Sequence, residues 1–162
     1  MKEKFRPCAG AIVFNKNSQV LLCSRNDTRS DAWQFPQGGI EKDEKPEEAA
    51  KRELFEETSI ASVVLVCTDK KPQRYEFTSE IKNKFKQRGI LCDGQDIYFS
   101  LFYFCGEEDE INVKTAQPEF NKYKWSDFDF AVKNIIPFKK DIYLTAAEKF
   151  APIIRQYLEK LS

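Results

Sequence analysis

The stretch from Gly38 to Ile60, GGIEKDEKPEEAAKRELFEETSI, constrains this chain more than any other part of its sequence. Pro46 fits the first position of a helix, because it lacks an N–H and its φ is already helical, and the residues after it favour a helix. With 3.6 residues per turn, Glu53, Glu56 and Glu57 share one face. Three carboxylates on one face repel each other, and a hard divalent cation with oxygen ligands relieves that repulsion. The stretch therefore predicts a helix that carries a metal site.

Two neighbouring features favour a metal site on this helix over a solvated, charge-rich surface helix. Arg52 lies four residues before Glu56, so we expect the two side chains to pair and the carboxylate to be held in place. Ala49 and Ala50 are small and project near the same face, which would let the Gly38-Gly39 loop approach the glutamates closely.

The spacing resembles the Nudix box, G-x5-E-x7-R-E-U-x-E-E-x-G-U, in which U is aliphatic. The fixed positions that match are Gly38, Glu44, Arg52, Glu53, Leu54, Glu56, Glu57 and Ile60. Ser59 departs from the pattern, since the family has glycine there. That glycine serves a left-handed helix C-cap, so we expect Ser59 to cost about 1 kcal/mol of strain. The departure concerns the turn and leaves the acidic face intact.

Segments outside the box extend the resemblance over nearly the whole chain. They are Arg6-Pro7, the segment 33–39 (WQFPQGG), Pro118-Glu119-Phe120 and the segment 137–143 (PFKKDIY), and they are similar to the bacterial RNA pyrophosphohydrolase branch, also called dinucleoside polyphosphate hydrolase. The resemblance implies an α+β fold, an α/β/α sandwich with a mixed central β-sheet, in a single domain over residues 1–162. It also implies removal of pyrophosphate from the 5′-triphosphate end of RNA and cleavage of dinucleoside polyphosphates.

The resemblance also implies which residues perform the chemistry. The cofactor would be Mg²⁺ or Mn²⁺, and the implied metal ligands are the Gly38 carbonyl, Glu53, Glu56, Glu57 and Glu119. The four glutamates are also the candidate catalytic residues, because one carboxylate must stay free to take a proton from water. Glu53 is the favoured base, but the sequence does not separate it from Glu56 or Glu119.

The implied substrate-binding residues lie outside the box. Arg6 matches a phosphate-contacting arginine, Arg25 and Phe138 match residues that sandwich a nucleobase, and Lys139 adjoins them. Tyr75 is a further candidate for the pocket lining. Stacking on an aromatic or guanidinium plane is how single-stranded bases are usually held. The alternatives are structural: a Phe beside a helix start often belongs to the core, and an Arg at a strand end is often only solvated.

Composition excludes several kinds of catalytic and metal site and indicates the cellular compartment. The chain has 26 basic and 26 acidic residues and no histidine, which excludes a Ser-His triad and any imidazole metal site. The charge is unequal locally, since residues 41–57 carry eight acids against four bases and residues 70–90 carry seven bases against two acids.

Five single cysteines without a C-x-x-C motif argue against disulfides and zinc. With no signal peptide or long apolar span, we expect a cytoplasmic protein without a membrane contact, and no stable protein partner is implied.

The remaining elements follow from local patterns. We expect strands over 8–14, 19–23, 62–68 (buried), 73–78, 96–105 and 123–125, a short helix capped by Ser126, and a longer one from Phe138 with a kink at Pro152. Residues 79–94 are expected to form a loop or ragged hairpin. Its basic cluster, Lys82, Lys84, Lys86 and Arg88, either is solvated or funnels the RNA backbone.

Two other functions compete with RNA pyrophosphate removal. One is a Nudix pyrophosphatase that acts on free nucleotides or sugar nucleotides. The other is a non-catalytic Nudix domain that only senses a nucleotide, but such domains typically lose box carboxylates, and this chain keeps them all.

Overall fold

The computed structural model describes residues 4–25, 32–116 and 118–162. The elements are β1 (Phe5–Phe14), β2 (Val20–Arg25), β3 (Trp33–Gln34), β4 (Gln37–Gly39), α1 (Pro46–Thr58), β5 (Val63–Thr68), β6 (Gln73–Glu76), α2 (Ser79–Gln87), β7 (Gly94–Phe104), β8 (Phe120–Ser126), α3 (Phe128–Asn134) and α4 (Lys140–Leu161). Two 3-10 turns, Glu108–Glu110 and Pro137–Lys139, complete the described part.

The strands form one mixed sheet with β1 near its centre. The main path runs β3-β2-β1-β7-β5, while β4 pairs with β1, β6 with β7 and β8 with β2. β1 and β7 are parallel over ten residue pairs, from Phe5 opposite Gly94 to Phe14 opposite Tyr103. The other pairings are antiparallel.

Helices cover both faces of this sheet because side chains alternate along β1. Ala9, Ala11 and Val13 pack in one cluster with Ala49, Ala50 and Leu54 of α1. The intervening residues, including Ile12 and Phe14, pack in a second cluster with residues of α3 and α4. This arrangement confirms the predicted α+β sandwich with the box helix against the sheet.

The prediction for residues 79–94 was wrong over most of the segment, because α2 occupies Ser79–Gln87. The Thr78 hydroxyl caps this helix by accepting a hydrogen bond from the Ile81 N–H. Ile81 and Phe85, four residues apart, pack against the core cluster. Tertiary packing of this narrow apolar stripe stabilises the short helix. The helix was not predicted because most of its residues are polar.

The strand expected over 62–68 is present as β5, but the expectation that it is buried was wrong. β5 pairs with β7 at the end of the main path, and no residue of β5 is fully buried. Val64 is 44% and Leu65 is 47% exposed. Apolar β-branched composition predicted the strand, but its place at the sheet edge determined its burial.

The C-terminal elements differ from expectation only in detail. Asp127 caps α3 by accepting from the Phe130 N–H at 2.7 Å, in place of Ser126. α4 begins at Lys140, after the 3-10 turn that contains Phe138, and includes Pro152 within its span. Within the described ranges, no helix is long and apolar enough to span a bilayer.

Two contacts hold the segment before the box in place. The Phe35 N–H donates to the hydroxyl of buried Tyr143 at 2.8 Å, and the two rings stack with centroids 4.7 Å apart. The Ala11 N–H donates to the Pro36 carbonyl at 2.8 Å. Tyr143 of α4 and Ala11 of β1 thus both position the segment that leads into β4.

Candidate active site

Gly38 lies in close contact with the first glutamate of the acidic face. β4 pairs antiparallel with β1, with Gly38 opposite Ala9, and this places the glycine under α1. A Cβ built on Gly38 would lie 2.1 Å from Cδ of Glu53 and 2.2 Å from its Oε1. No side chain fits between them, so only glycine allows the loop and this carboxylate to meet.

Arg52 is the centre of the polar network around the box. It binds Glu44 in a bidentate manner, with Nε to Oε2 at 2.8 Å and Nη2 to Oε1 at 3.0 Å. Nη2 also donates to the Gly39 carbonyl at 2.9 Å, and Nη1 donates to Glu53 at 2.8 Å. The predicted pair with Glu56 is present but is the longest contact, at 3.4 Å. Arg52 therefore ties the box helix to the glycine loop and to Glu44.

This network sets the pKa values of its members. The Arg52 hydrogen bonds lower the pKa of Glu44 to about 2. They also raise the pKa of the Arg52 guanidinium. Both groups are thus charged at neutral pH, which suits a permanent electrostatic brace.

Glu53 behaves differently from Glu44, although both contact Arg52. Its side chain is only 15% exposed. Burial raises its pKa, the Arg52 hydrogen bond opposes that rise, and the nearby carboxylates of Glu56 and Glu119 add to it. The electrostatic coupling shows that Glu119, 66 positions away in sequence, lies near the box helix.

Glu57 and Glu119 both act on the buried thiol of Cys23. Glu57 is only 5% exposed, and Glu119 is half-buried just before β8. Burial raises the pKa of the Cys23 thiol, and the carboxylates of Glu57 and Glu119 raise it further. Glu56, at 56% exposure, is the most accessible acid of the face.

The acidic side chains of the box helix do not form a ready cation site. In the part of the chain that the structure describes, no three acidic or cysteine side chains stand together in an arrangement able to hold a metal. Arg52 binds both Glu53 and Glu56 and so directs their oxygens toward its guanidinium. The donor set nevertheless fits a hard cation, since it consists of oxygens only and Glu53 touches the Gly38 backbone.

The end of the box helix has the geometry that the missing glycine would adopt. Ser59 has φ 67° and ψ 8°, and its N–H donates to the Phe55 carbonyl at 2.8 Å. Its hydroxyl donates to the Asn112 carbonyl at 3.0 Å. The prediction of a left-handed cap at this position is confirmed.

A cavity of about 230 Å³ adjoins the glycine loop. Its lining combines Gln34 and Gln37 from the segment before the box with Tyr75, Phe138 and Lys139, and one wall is formed by α2. Because Gln37 directly precedes Gly38, the cavity and the acidic face share one loop.

Three predicted substrate residues meet in this cavity. The rings of Tyr75 and Phe138 have centroids 5.8 Å apart. Lys139 Nζ lies 5.4 Å from the Tyr75 centroid and 6.0 Å from that of Phe138, within cation–π range. Phe138 is half-buried, so part of its ring is accessible.

Arg6 lies against the glycine loop at Gly39. Its side chain is exposed, and a Cβ on Gly39 would lie 2.6 Å from its Nη2. Burial raises the pKa of the Cys8 thiol to about 11, with Arg6 and Lys139 opposing the rise and Glu53 adding to it. Both cations and the catalytic candidate Glu53 are thus close enough to Cys8 to act on its pKa. The side chain of Arg25 lies outside the described part of the structure.

Sequence reasoning did not single out the amide groups of the cavity. The Tyr75 hydroxyl donates to Gln95 Oε1, and Gln37 Nε2 approaches the same oxygen at 3.5 Å. Gln34 and Gln37 belong to the WQFPQGG segment, and this motif could have identified them from the sequence. No sequence feature indicated Gln95, because only the β6–β7 pairing brings it opposite Tyr75.

Known proteins are similar to this chain in sequence and in fold. A family model described as NUDIX domain matches residues 4–145. The RNA pyrophosphohydrolase of Sphingopyxis alaskensis is 36% identical over 155 residues, covering 94% of this chain and 97% of that protein. That of Roseobacter denitrificans is 37% identical over 150 residues, covering 90% and 91%.

Solved structures agree on the fold. E. coli dihydroneopterin triphosphate pyrophosphohydrolase superposes with a TM-score of 0.67 at 19% identity, covering 87% of this chain and 95% of that one. A C. elegans Ap4A hydrolase binary complex gives 0.61 at 18% identity, covering 96% and 97%.

Proposed function

Because this chain belongs to the NUDIX domain family, we propose that it is a metal-dependent hydrolase that removes pyrophosphate from the 5′-triphosphate end of RNA and also cleaves dinucleoside polyphosphates. The relatives named RNA pyrophosphohydrolase align over nearly their whole length. The observation that carries the proposal is the shared glycine loop, which joins an acidic face to a cavity lined by Tyr75, Phe138 and Lys139. The five free cysteines are consistent with a reducing cytoplasm, where we place the enzyme.

The acidic face would hold Mg²⁺ or Mn²⁺ through the Gly38 carbonyl and the carboxylates of Glu56, Glu57 and Glu119, which leaves the Glu53 carboxylate free to accept a proton. Oxygen-only donors suit these hard cations. When bound, the ion neutralises charge on the phosphate oxygens of the transition state.

Glu53 is the general base in this proposal. It accepts a proton from the attacking water as the new P–O bond forms and the bond to the leaving pyrophosphate breaks. Burial raises its pKa and so strengthens it as a base, while the Arg52 Nη1 bond at 2.8 Å orients the carboxylate. Glu44 holds Arg52 in turn and acts as a positioning residue.

The cationic side chains bind the phosphates of the substrate, and the aromatic rings bind a base. Arg6 and Lys139, which both act on the pKa of the Cys8 thiol, bind phosphate oxygens. Phe138 and Tyr75 hold a base in the cavity, and Arg25 covers the second face of that base. Stacking of this kind is sequence-tolerant because every base has a π face.

The test is turnover of 5′-triphosphorylated RNA with the products resolved. We expect pyrophosphate and 5′-monophosphorylated RNA, and Glu53→Gln or Glu57→Gln should reduce kcat by about 100-fold or more. The apo fold should survive both changes, since each removes a charge from a repulsive cluster. Unfolding of both variants would mean that the helix is only structural.

The base clamp is tested separately with Phe138→Ala. Stacking contributes about 1–3 kcal/mol per base, so kcat/KM for triphosphorylated RNA with an unpaired 5′ end should fall by roughly 5- to 150-fold. A nucleoside triphosphate should be affected much less, and an RNA whose 5′ end is paired should be a poor substrate of the wild type. An equal loss on all three substrates would make Phe138 a core residue, and a wild-type preference for the free nucleotide would refute the RNA assignment.

A further inference from the structure

α2 has two kinds of residue on one face. Ile81, Lys84, Phe85 and Arg88, the last just beyond the helix, follow the spacing i, i+3, i+4, i+7, and all four line the cavity. Ile81 and Phe85 are half-buried, and the Phe85 ring stacks on Phe77 at 4.9 Å with an interplanar angle of 6°. The apolar pair anchors the helix to the sheet and makes it a fixed wall.

The two cations of that face are exposed, unlike the apolar pair beside them. Lys84 and Arg88 therefore lie on the rim of the cavity, where the lining meets solvent. Lys82 lies off the lining and approaches Asp93 at 3.8 Å. Neither Lys84 nor Arg88 forms an ion pair with another residue of the described ranges. Two uncompensated cations on a rigid rim favour a polyanion.

The rim is where a polynucleotide would leave the cavity. If the 5′ phosphates of a nucleotide lie at Gly38 and Arg6 and its base lies at Phe138, the strand continues from the 3′ oxygen of the ribose. A strand that leaves along the exposed part of the lining would meet the α2 wall of the cavity. Lys84 and Arg88 supply positive charge along that exit.

We propose that α2 is a second RNA-binding element, in which Lys84 and Arg88 bind backbone phosphates downstream of the base held in the cavity. This inference rests on the proposed function and specifies its substrate class. A dinucleoside polyphosphate joins its two nucleosides through their 5′ oxygens and has no 3′ phosphodiester, so it gains nothing from the rim. The enzyme is therefore built to favour triphosphorylated RNA strands over dinucleoside polyphosphates.

The experiment compares the Lys84→Gln/Arg88→Gln double variant with a matched control, Lys82→Gln/Lys86→Gln, which removes the same charge from helix positions off the lining. Substrates are 5′-triphosphorylated RNAs of two and of eight nucleotides with the same unpaired 5′ sequence, and diadenosine tetraphosphate. Each phosphate contact to a single strand contributes a salt slope of about 0.7, so two contacts make KM rise about sevenfold between 50 and 200 mM salt.

For the eight-nucleotide RNA, we expect KM to include this sevenfold rise with salt in the wild type and in the control variant. The Lys84→Gln/Arg88→Gln variant should lose this part of the salt dependence. KM for diadenosine tetraphosphate, and kcat for all three substrates, should be the same in every variant. KM for the dinucleotide, which has a single internucleotide phosphate, should respond less than KM for the eight-nucleotide RNA. An equal effect of both double variants, or an effect independent of RNA length, would overturn the role of the rim. The proposed function would then still stand, because its failure looks different: the wild type would not release pyrophosphate from either RNA.

Discussion

Gly38→Ala tests the contact on which the candidate active site depends. The backbone of Gly38 is not in the left-handed region, so alanine is allowed there without backbone strain. The added methyl would, however, lie 2.1 Å from Cδ of Glu53. The perturbation is therefore local and acts on one carboxylate.

The expected loss follows from that distance. Carbon atoms in contact lie about 3.5 to 4.0 Å apart, so the Glu53 carboxyl must retreat by about 1.4 Å or more. A misplacement of about 1 Å in a catalytic group can cost about 100-fold. We expect kcat on triphosphorylated RNA to fall by about 100-fold or more while the protein stays folded.

Gly10→Ala is the matched control, because Gly10 lies opposite Gln37 in the neighbouring strand. A methyl there would lie 2.7 Å from ring carbons of Phe99, in the core and away from the acidic face. This variant should lower the melting temperature and leave kcat of the folded enzyme unchanged. A folded Gly38→Ala protein with wild-type kcat would refute the catalytic role of the Gly38–Glu53 contact.

Three further outcomes are expected. Excess chelator should abolish turnover, Mg²⁺ or Mn²⁺ should restore it and Ca²⁺ should restore it poorly, because Ca²⁺ prefers looser, higher coordination; full activity in chelator would exclude a metal mechanism. Ser59→Gly should stabilise the protein by about 1 kcal/mol in urea unfolding without changing kcat, since it relieves the left-handed strain at φ 67°; a destabilised variant would mean that the hydroxyl bond to Asn112 dominates. Hydrogen bonds from Ser62 and Ala61 lower the pKa of Glu110 below its ordinary 4.5, so Glu110→Gln should reduce stability at pH 7, and the difference should shrink as the pH falls below 4.5 through the lowered pKa. A difference independent of pH would contradict that coupling.

The box helix, its acidic face and its left-handed end could be predicted from the sequence alone. These features depend on neighbours three and four residues apart and on the φ of single residues, so local geometry decides them. Ser59 illustrates this, since the motif predicted its conformation and the structure has it at φ 67°. The strands around β1 and β7 were predictable for a similar reason, because both are rich in apolar and aromatic residues.

Only the tertiary structure decided which residues the acidic face meets. Arg52 has Glu56 as its helical neighbour, yet it binds Glu44 more closely, because the loop after β4 folds back over the helix. α2 was hidden in a polar segment, since its two apolar residues gain their stabilisation only by packing against Phe77 and the sheet. Contacts of this kind join segments that are distant in sequence, and their energy appears only when the mixed sheet brings those segments together.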